Sequence, residues 1–157
     1  MTTGISRELV KTYFEACVSR DPERIAHCLD DNVDWSLAGP VDVLPYCGQR
    51  HGKSQVIDTI VRLVPSSIRL TGIKMEDILI DGDRAAAFLQ VSAIHAGTGR
   101  TVSYRAAQLM RFRDGKLVES RAVIDSFDAA EQVLGHQISA SLDVSRDFVA
   151  SGNRVAI

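Results

Sequence analysis

The chain has 157 residues, of which 45% are hydrophobic and 24% charged, and 18 basic against 20 acidic side chains leave a net charge of −2. This length fits one domain with an ordinary core, and balanced charge without a basic run argues against nucleic acid or an anionic membrane surface as the main partner. No apolar run approaches the roughly 18 residues of a membrane span, the N-terminus lacks a signal-peptide core, and Cys17, Cys28 and Cys47 have no CxxC spacing, a pattern expected of buried thiols in a reduced, cytoplasmic setting.

Taken in order, Ile5, Leu9, Tyr13, Ala16 and Cys17 recur at helical spacing and predict an amphipathic helix over 5–19. Asp21-Pro22-Glu23 restarts a helix, with Asp as N-cap, Pro in the first turn and an acid near the positive dipole end. Ile25, Cys28 and Leu29 form its apolar stripe, and Asp30-Asp31-Asn32 ends it. Val33 to Leu37 read as a short strand with Val33, Trp35 and Leu37 on one face. Gly39-Pro40 breaks that strand, and 40–52 read as a loop. A helix follows from about Lys53 to Val64, buried along Val56, Ile57, Ile60, Val61 and Val64, with Pro65 as its stop.

The second half changes period. Residues 68–80 and 84–96 read as long strands around the turn Asp81-Gly82-Asp83, and Gly97-Thr98-Gly99 leads to a third, TVSYRAAQLMRFR. There Val102, Tyr104, Ala106, Gln108, Met110 and Phe112 alternate with Ser103, Arg105, Arg111 and Arg113, so one row faces an interior and the arginines face out. Asp114-Gly115 is a strong hairpin signal, and the next strand carries Val118, Ser120, Ala122 and Ile124 on one row. Gln108 is the misfit: an amide in an apolar row needs partners, because leaving it unpaired costs about 1–3 kcal/mol. Ser126 is positioned to cap a helix near 127–134, ended by Gly135. Residues 136–157 read as a C-terminal extension, a helix or an arm, of a domain spanning 1–135. The order is that of an α+β domain: three helices in the N-terminal half packed on a strongly curved, antiparallel or mixed sheet, closing a cone with an apolar pocket.

Two apparent motifs carry no chemistry. Gly48-Gln49-Arg50-His51-Gly52-Lys53-Ser54 is one residue short of a phosphate loop and follows no buried parallel strand. The four histidines show no ligand spacing, so no metal site is expected.

The segments DPERIAHCLDDNVDW, LPYCGQRHGKSQVIDTI and RFRDGKLVESRAVID, with the end of the first helix from Tyr13 to Asp21, resemble the NTF2-like superfamily over about residues 5–134. That superfamily includes ketosteroid isomerases and SnoaL-like polyketide cyclases. The resemblance implies a cone-shaped fold that commonly dimerises through its sheet, and cofactor-free chemistry. Tyr13 matches the isomerase tyrosine that donates to an oxyanion. Gln108 stands where that family has a protonated Asp; it also donates, but it does not titrate. The isomerase base on the first strand corresponds to Trp35 or Ser36, with Asp34 reached only by a register shift that flips its face. The SnoaL-like cyclases place an acid/base Asp at the end of the last strand, and Asp125 is the nearest match. The Asp-Arg-Asp arrangement of the limonene epoxide hydrolase branch has no clean match here.

The expectation is therefore a pocket for an apolar, carbonyl-bearing small molecule, on which Asp125, or instead Asp34 or His95, moves a proton while Tyr13 and Gln108 stabilise an oxyanion. Trp35, His95, Tyr104, Met110 and Ser120 are expected to line it, with no cofactor. The rival reading is a non-catalytic ligand-binding or dimerisation domain with the same pocket. The outward row of the long strands, with Ala107, Leu109, Leu117 and Val123 among charges, predicts a homodimer through that face.

Overall fold

Alternation along β5 (Thr101–Arg113) sets the two faces of the molecule. Val102, Tyr104, Ala106, Gln108, Met110 and Phe112 are buried, while Ser103, Arg105, Leu109 and Arg113 are exposed. The hairpin to β6 (Lys116–Ile124) turns on Asp114 and Gly115 at φ 51° and 73°, the doubly positive geometry that matches strand twist and that glycine adopts without strain.

The computed structural model describes residues 4–139. The remaining strands are β1 (Leu29–Ala38), β2 (Gly48–His51), β3 (Ile68–Asp81) and β4 (Arg84–His95). They form one six-stranded sheet in the order β2-β1-β6-β5-β4-β3. The β1–β6 pair is parallel and the other pairs are antiparallel. Register breaks in β3, at Leu70/Gly72 and Met75/Asp77, are bulges of the kind that bend and twist a strand, and the sheet is curved and unclosed. Helices α1 (Arg7–Ser19), α2 (Pro22–Cys28) and α3 (53–67) pack on the sheet, and α4 (Ser126–Leu134) follows β6. The predicted α+β architecture, with three helices in the N-terminal half, is the one observed. No helix among the described residues is long and apolar enough to cross a membrane.

Local chemistry explains most boundaries. Ser6 caps α1 by accepting from the Leu9 N–H, and Asp21 caps α2 by accepting from Glu23 and Arg24, with Pro22 opening the helix. Leu117, expected on the outward row, is fully buried beyond the register break at Arg111/Phe112, and Leu29, expected on the second helix, opens β1; three further details differ from the sequence reading. First, β2 lies within the expected loop and pairs with β1 from Asp34↔His51 to Leu37↔Gly48. It has only four residues and no apolar alternation, so it gives no strand signal. Second, α3 does not stop before Pro65. It runs as Lys53–Asp58, a π-helical Thr59–Leu63 and Val64–Ser67, and Pro65 falls in the first turn of the last piece, where a missing N–H is tolerated. Third, Asp125 rather than Ser126 caps α4. Gly135 closes α4 at φ 80°, and 136–139 lie in no helix or strand. The rest of the expected extension, 140–157, lies outside the described residues.

Candidate functional site: a cavity under the concave face

The concave face of the sheet and helices α1 and α3 line a partly open cavity of about 110 Å³. Phe14, Ile60, Val64, Leu89, Val91 and Ala106 are part of its apolar wall, and polar atoms come from Tyr13, Cys17, Trp35, Tyr46, Tyr104 and Gln108. Among the described residues, no Asp, Glu, His, Lys or Arg lines it.

The polar atoms form two groups. In the first, the Trp35 indole donates to the Tyr13 hydroxyl oxygen at 3.2 Å, and the Gln108 amide donates to Ser120 Oγ at 2.7 Å. Burial drives the Tyr13 phenol well above its ordinary acidity range, with Cys17 adding to the shift; hydrogen bonds from Trp35 and Gln108 act the other way and are outweighed. Tyr13 therefore stays neutral, and its oxygen accepts from the Trp35 indole. The Cys17 thiol lines the cavity beside it. Burial pushes that thiol up to about 12, so it is no nucleophile near neutrality. In the second group, the Tyr46 and Tyr104 hydroxyls share a hydrogen bond at 3.3 Å, and burial raises Tyr104 to about 12. Tyr104 and Gln108 lie four residues apart on one face of β5, which separates the two groups by roughly 13 Å of strand.

Of the residues expected at the site, Tyr13, Trp35, Tyr104 and Gln108 converge on the cavity. Ser120 stands directly behind Gln108 as its acceptor, and Met110 is buried in the core beyond the lining. The three expected proton carriers lie elsewhere. Asp125 is exposed, accepts from the Asp128 N–H and donates its own N–H to the Arg105 carbonyl: it is a helix cap. Asp34 keeps the register that points it to the convex face, where its carboxylate meets His51 Nδ1 at 2.6 Å. His95 ends β4, and its Nδ1 accepts from the Thr98 N–H at 3.2 Å. The sequence reading missed Tyr46 and Cys17 as lining residues. Tyr46 sits in a Pro/Gly-rich stretch where periodicity assigns no face, and Cys17 was read only as a buried helix position.

The convex face has its own order. A cross-strand row of charged or titratable groups runs Asp81, Arg84, Arg111, Glu119, Asp34 and His51 over all six strands. Partial burial raises the Glu119 carboxyl, but Arg121 and Arg111 outweigh this and hold it below the usual range, at 2.5 Å and 3.2 Å. Beside this row lie Leu79, Phe88, Leu109 and Val123, which are 69%, 45%, 60% and 55% exposed and border a shallow concavity of about 460 Å³.

This architecture has relatives. The sequence matches the SnoaL-like domain family over residues 10–120. No curated protein sequence matches it. A Rhodopseudomonas palustris protein, provisionally assigned as an isomerase, is 32% identical with a TM-score of 0.77, over 84% of this chain and 100% of that one. A Catenulispora acidiphila protein with a ketosteroid isomerase-like fold, solved with trimethylamine, superposes at TM-score 0.67 with 13% identity, over 84% and 95% of the two chains. An LEH-like epoxide hydrolase of M. tuberculosis gives 0.66 with 16% identity, over 82% and 88%. With the curved open sheet and the three helices beneath it, these matches establish that the chain belongs to the SnoaL-like domain family.

Proposed function

We propose that the chain is a small-molecule pocket protein that holds a mainly apolar, carbonyl-bearing ligand with its oxygen on the Tyr13 hydroxyl. The observation that carries this reading is the setting of that hydroxyl: a neutral phenol, accepting from the Trp35 indole, stands on a mainly apolar wall that carries no charged group among the described residues. Gln108 lines the same wall with its amide N–H committed to Ser120, rather than as a free second donor. Native mass spectrometry of the purified protein tests the reading. Wild type is expected to carry a neutral adduct that Tyr13→Phe loses; equal loading of both would exclude Tyr13 as the anchor.

A second reading is supported by the isomerase assignment of the R. palustris relative. In it, the same donor stabilises a developing oxyanion during cofactor-free isomerisation, cyclisation or hydration. The binding reading stands first because Asp125, Asp34 and His95 all lie off the cavity wall. Catalysis would require Asp125 to leave its cap position. Turnover of an enone that survives Asp125→Asn would remove that residue from the mechanism.

The exposed apolar side chains of the convex face favour a second copy of the chain as their cover, giving an isologous dimer with Arg84, Arg111 and Glu119 at its rim. Free Cys17, Cys28 and Cys47 fit a reduced, cytoplasmic protein. Small molecules, rather than nucleic acid or membrane, are its expected ligands.

A further inference from the structure

Two phenols carry two O–H protons, and a bond between them uses only one. That count singles out Tyr46 and Tyr104, which both line the cavity. They are 2% and 5% exposed, and their oxygens stand 3.3 Å apart, beyond the roughly 2.5–3.0 Å usual between two hydroxyls. Neither makes a second hydrogen bond among the described residues. Whichever phenol donates, the other keeps a proton that no described residue accepts. Buried donors are nearly always paired, because losing water without gaining a partner is costly.

Both side chains are held by other parts of the fold. Tyr104 is fixed on β5, where it pairs with Val91 of β4. Tyr46 stands between the carbonyls of Pro45 and Cys47, which accept from the Arg50 guanidinium at 3.4 and 3.3 Å. The same guanidinium donates to Thr59 Oγ1 at 2.8 Å and so ties the Tyr46 loop to α3. Burial pushes Tyr46 above the ordinary phenol range and Tyr104 up to about 12, so both keep their protons near neutrality. With no charged side chain on the wall among the described residues, an ionised partner would lack a counter-charge. After the mutual bond, the pair offers one donor and free lone pairs on both oxygens. A hydroxyl answers both, since it accepts one bond and donates another, and the three groups then polarise one another. An ether or carbonyl oxygen answers only the donor.

We infer that Tyr46 and Tyr104 form a second binding subsite of the cavity, which holds a neutral hydroxyl of the ligand. This rests on the pocket reading above and adds to it: the ligand carries an alcohol or phenol group at this end. Roughly 13 Å of β5 separates Tyr104 from Gln108 in the first polar group, so the hydroxyl sits apart from the group on Tyr13.

The test is titration of the isotope-labelled full chain with phenol, anisole and toluene, followed by amide NMR, in wild type and in Tyr46→Phe/Tyr104→Phe. Saturable shifts at Leu89 and Ala106 report binding in the cavity. Removing both hydroxyls keeps the shape of the wall and leaves no buried donor behind, so the double variant should fold as wild type does. It is expected to bind phenol at least about tenfold more weakly and toluene within about twofold of wild type. Anisole, which accepts but does not donate, is expected to lose less than phenol. Tyr13→Phe is expected to cost phenol less than the double variant does. Should the double variant not fold, intermolecular NOEs in wild type make the same test. The phenol ring is expected to contact the Tyr46 and Tyr104 rings; contacts to Tyr13 and Trp35 alone would overturn the subsite. A phenol affinity unchanged by the double variant, lowered by the same factor as that of toluene, or lowered more by Tyr13→Phe would overturn it while leaving the pocket reading intact. Equal losses for anisole and phenol would overturn the hydroxyl preference alone. No shift at these amides with any of the three probes would overturn both this inference and the pocket reading.

Discussion

Odd and even positions of one strand, β5, teach different lessons. The even row, from Val102 to Phe112, faces the core, and its middle members Tyr104, Ala106 and Gln108 line the small cavity. The odd row, from Ser103 to Arg113, faces outward and mixes arginines with Ala107 and Leu109. The concave face limits what enters by an apolar wall carrying a few neutral polar groups. The convex face limits what docks by apolar area and a charged rim. Period-2 alternation keeps the two chemistries about one peptide apart without mixing them.

The largest expected effect separates neighbouring residues of that strand. Met110→Glu puts a carboxylate into the core, a cost of several kcal/mol that rivals the whole stability of a domain, so it should fail to give a folded protein by circular dichroism. Leu109→Glu, one residue away, should fold normally and sediment as a monomer, whereas wild type is expected to sediment as the proposed dimer. A folded Met110→Glu, or a wild type of monomer mass at all concentrations, would break the contrast.

Next comes the Gln108–Ser120 pair. Gln108→Leu leaves the Ser120 hydroxyl without its partner and should cost about 1–3 kcal/mol in chemical denaturation. Adding Ser120→Ala should recover part of that loss, since removing both partners of a buried pair is close to neutral. Strict additivity would show that the bond contributes nothing.

The alkaline limb reports on the concave face as well. The Cys17 thiol, with an ordinary value of 9.0, is pushed up to about 12 by burial, so the unfolded chain gives up this proton first. Its contribution is complete below pH 9 and falls as pH rises from 9 to about 12, by up to about 1.4 kcal/mol per pH unit. Cys17→Ala should flatten that part of the stability profile; an unchanged slope would assign the alkaline loss to other groups.

The smallest effect belongs to the convex face. The Asp34–His51 pair is largely solvated, and His51→Ala should change stability by less than about 1 kcal/mol. A loss comparable with that of Gln108→Leu would mean that this face is covered.

The fold was legible because its signals are local. Alternation in β5, Asp114-Gly115 and the Asp21-Pro22 cap each act within a few residues, and each appears in the structure as read. Gln108 was legible as part of a site because a polar side chain in an apolar row demands a partner. The proton carriers were not legible. A carboxylate at the end of a strand and a carboxylate capping the next helix are the same residue in the same place, and only the Asp128 N–H decides for the cap. The Trp35–Tyr13 bond joins residues 22 apart on a strand and a helix, so no periodicity reports it. Cavity volume depends on how α1 and α3 sit on the sheet, which no spacing in the chain encodes.

The central claim is that Tyr13 is the buried donor to a ligand carbonyl. The most direct measurement is the infrared carbonyl stretch of carbonyl-labelled cyclohexenone bound to wild type and to Tyr13→Phe. The account predicts a stretch lowered relative to an apolar solvent in wild type, returning toward the solvent value in the variant, with the fold of both unchanged by circular dichroism. The same stretch in both proteins would contradict it.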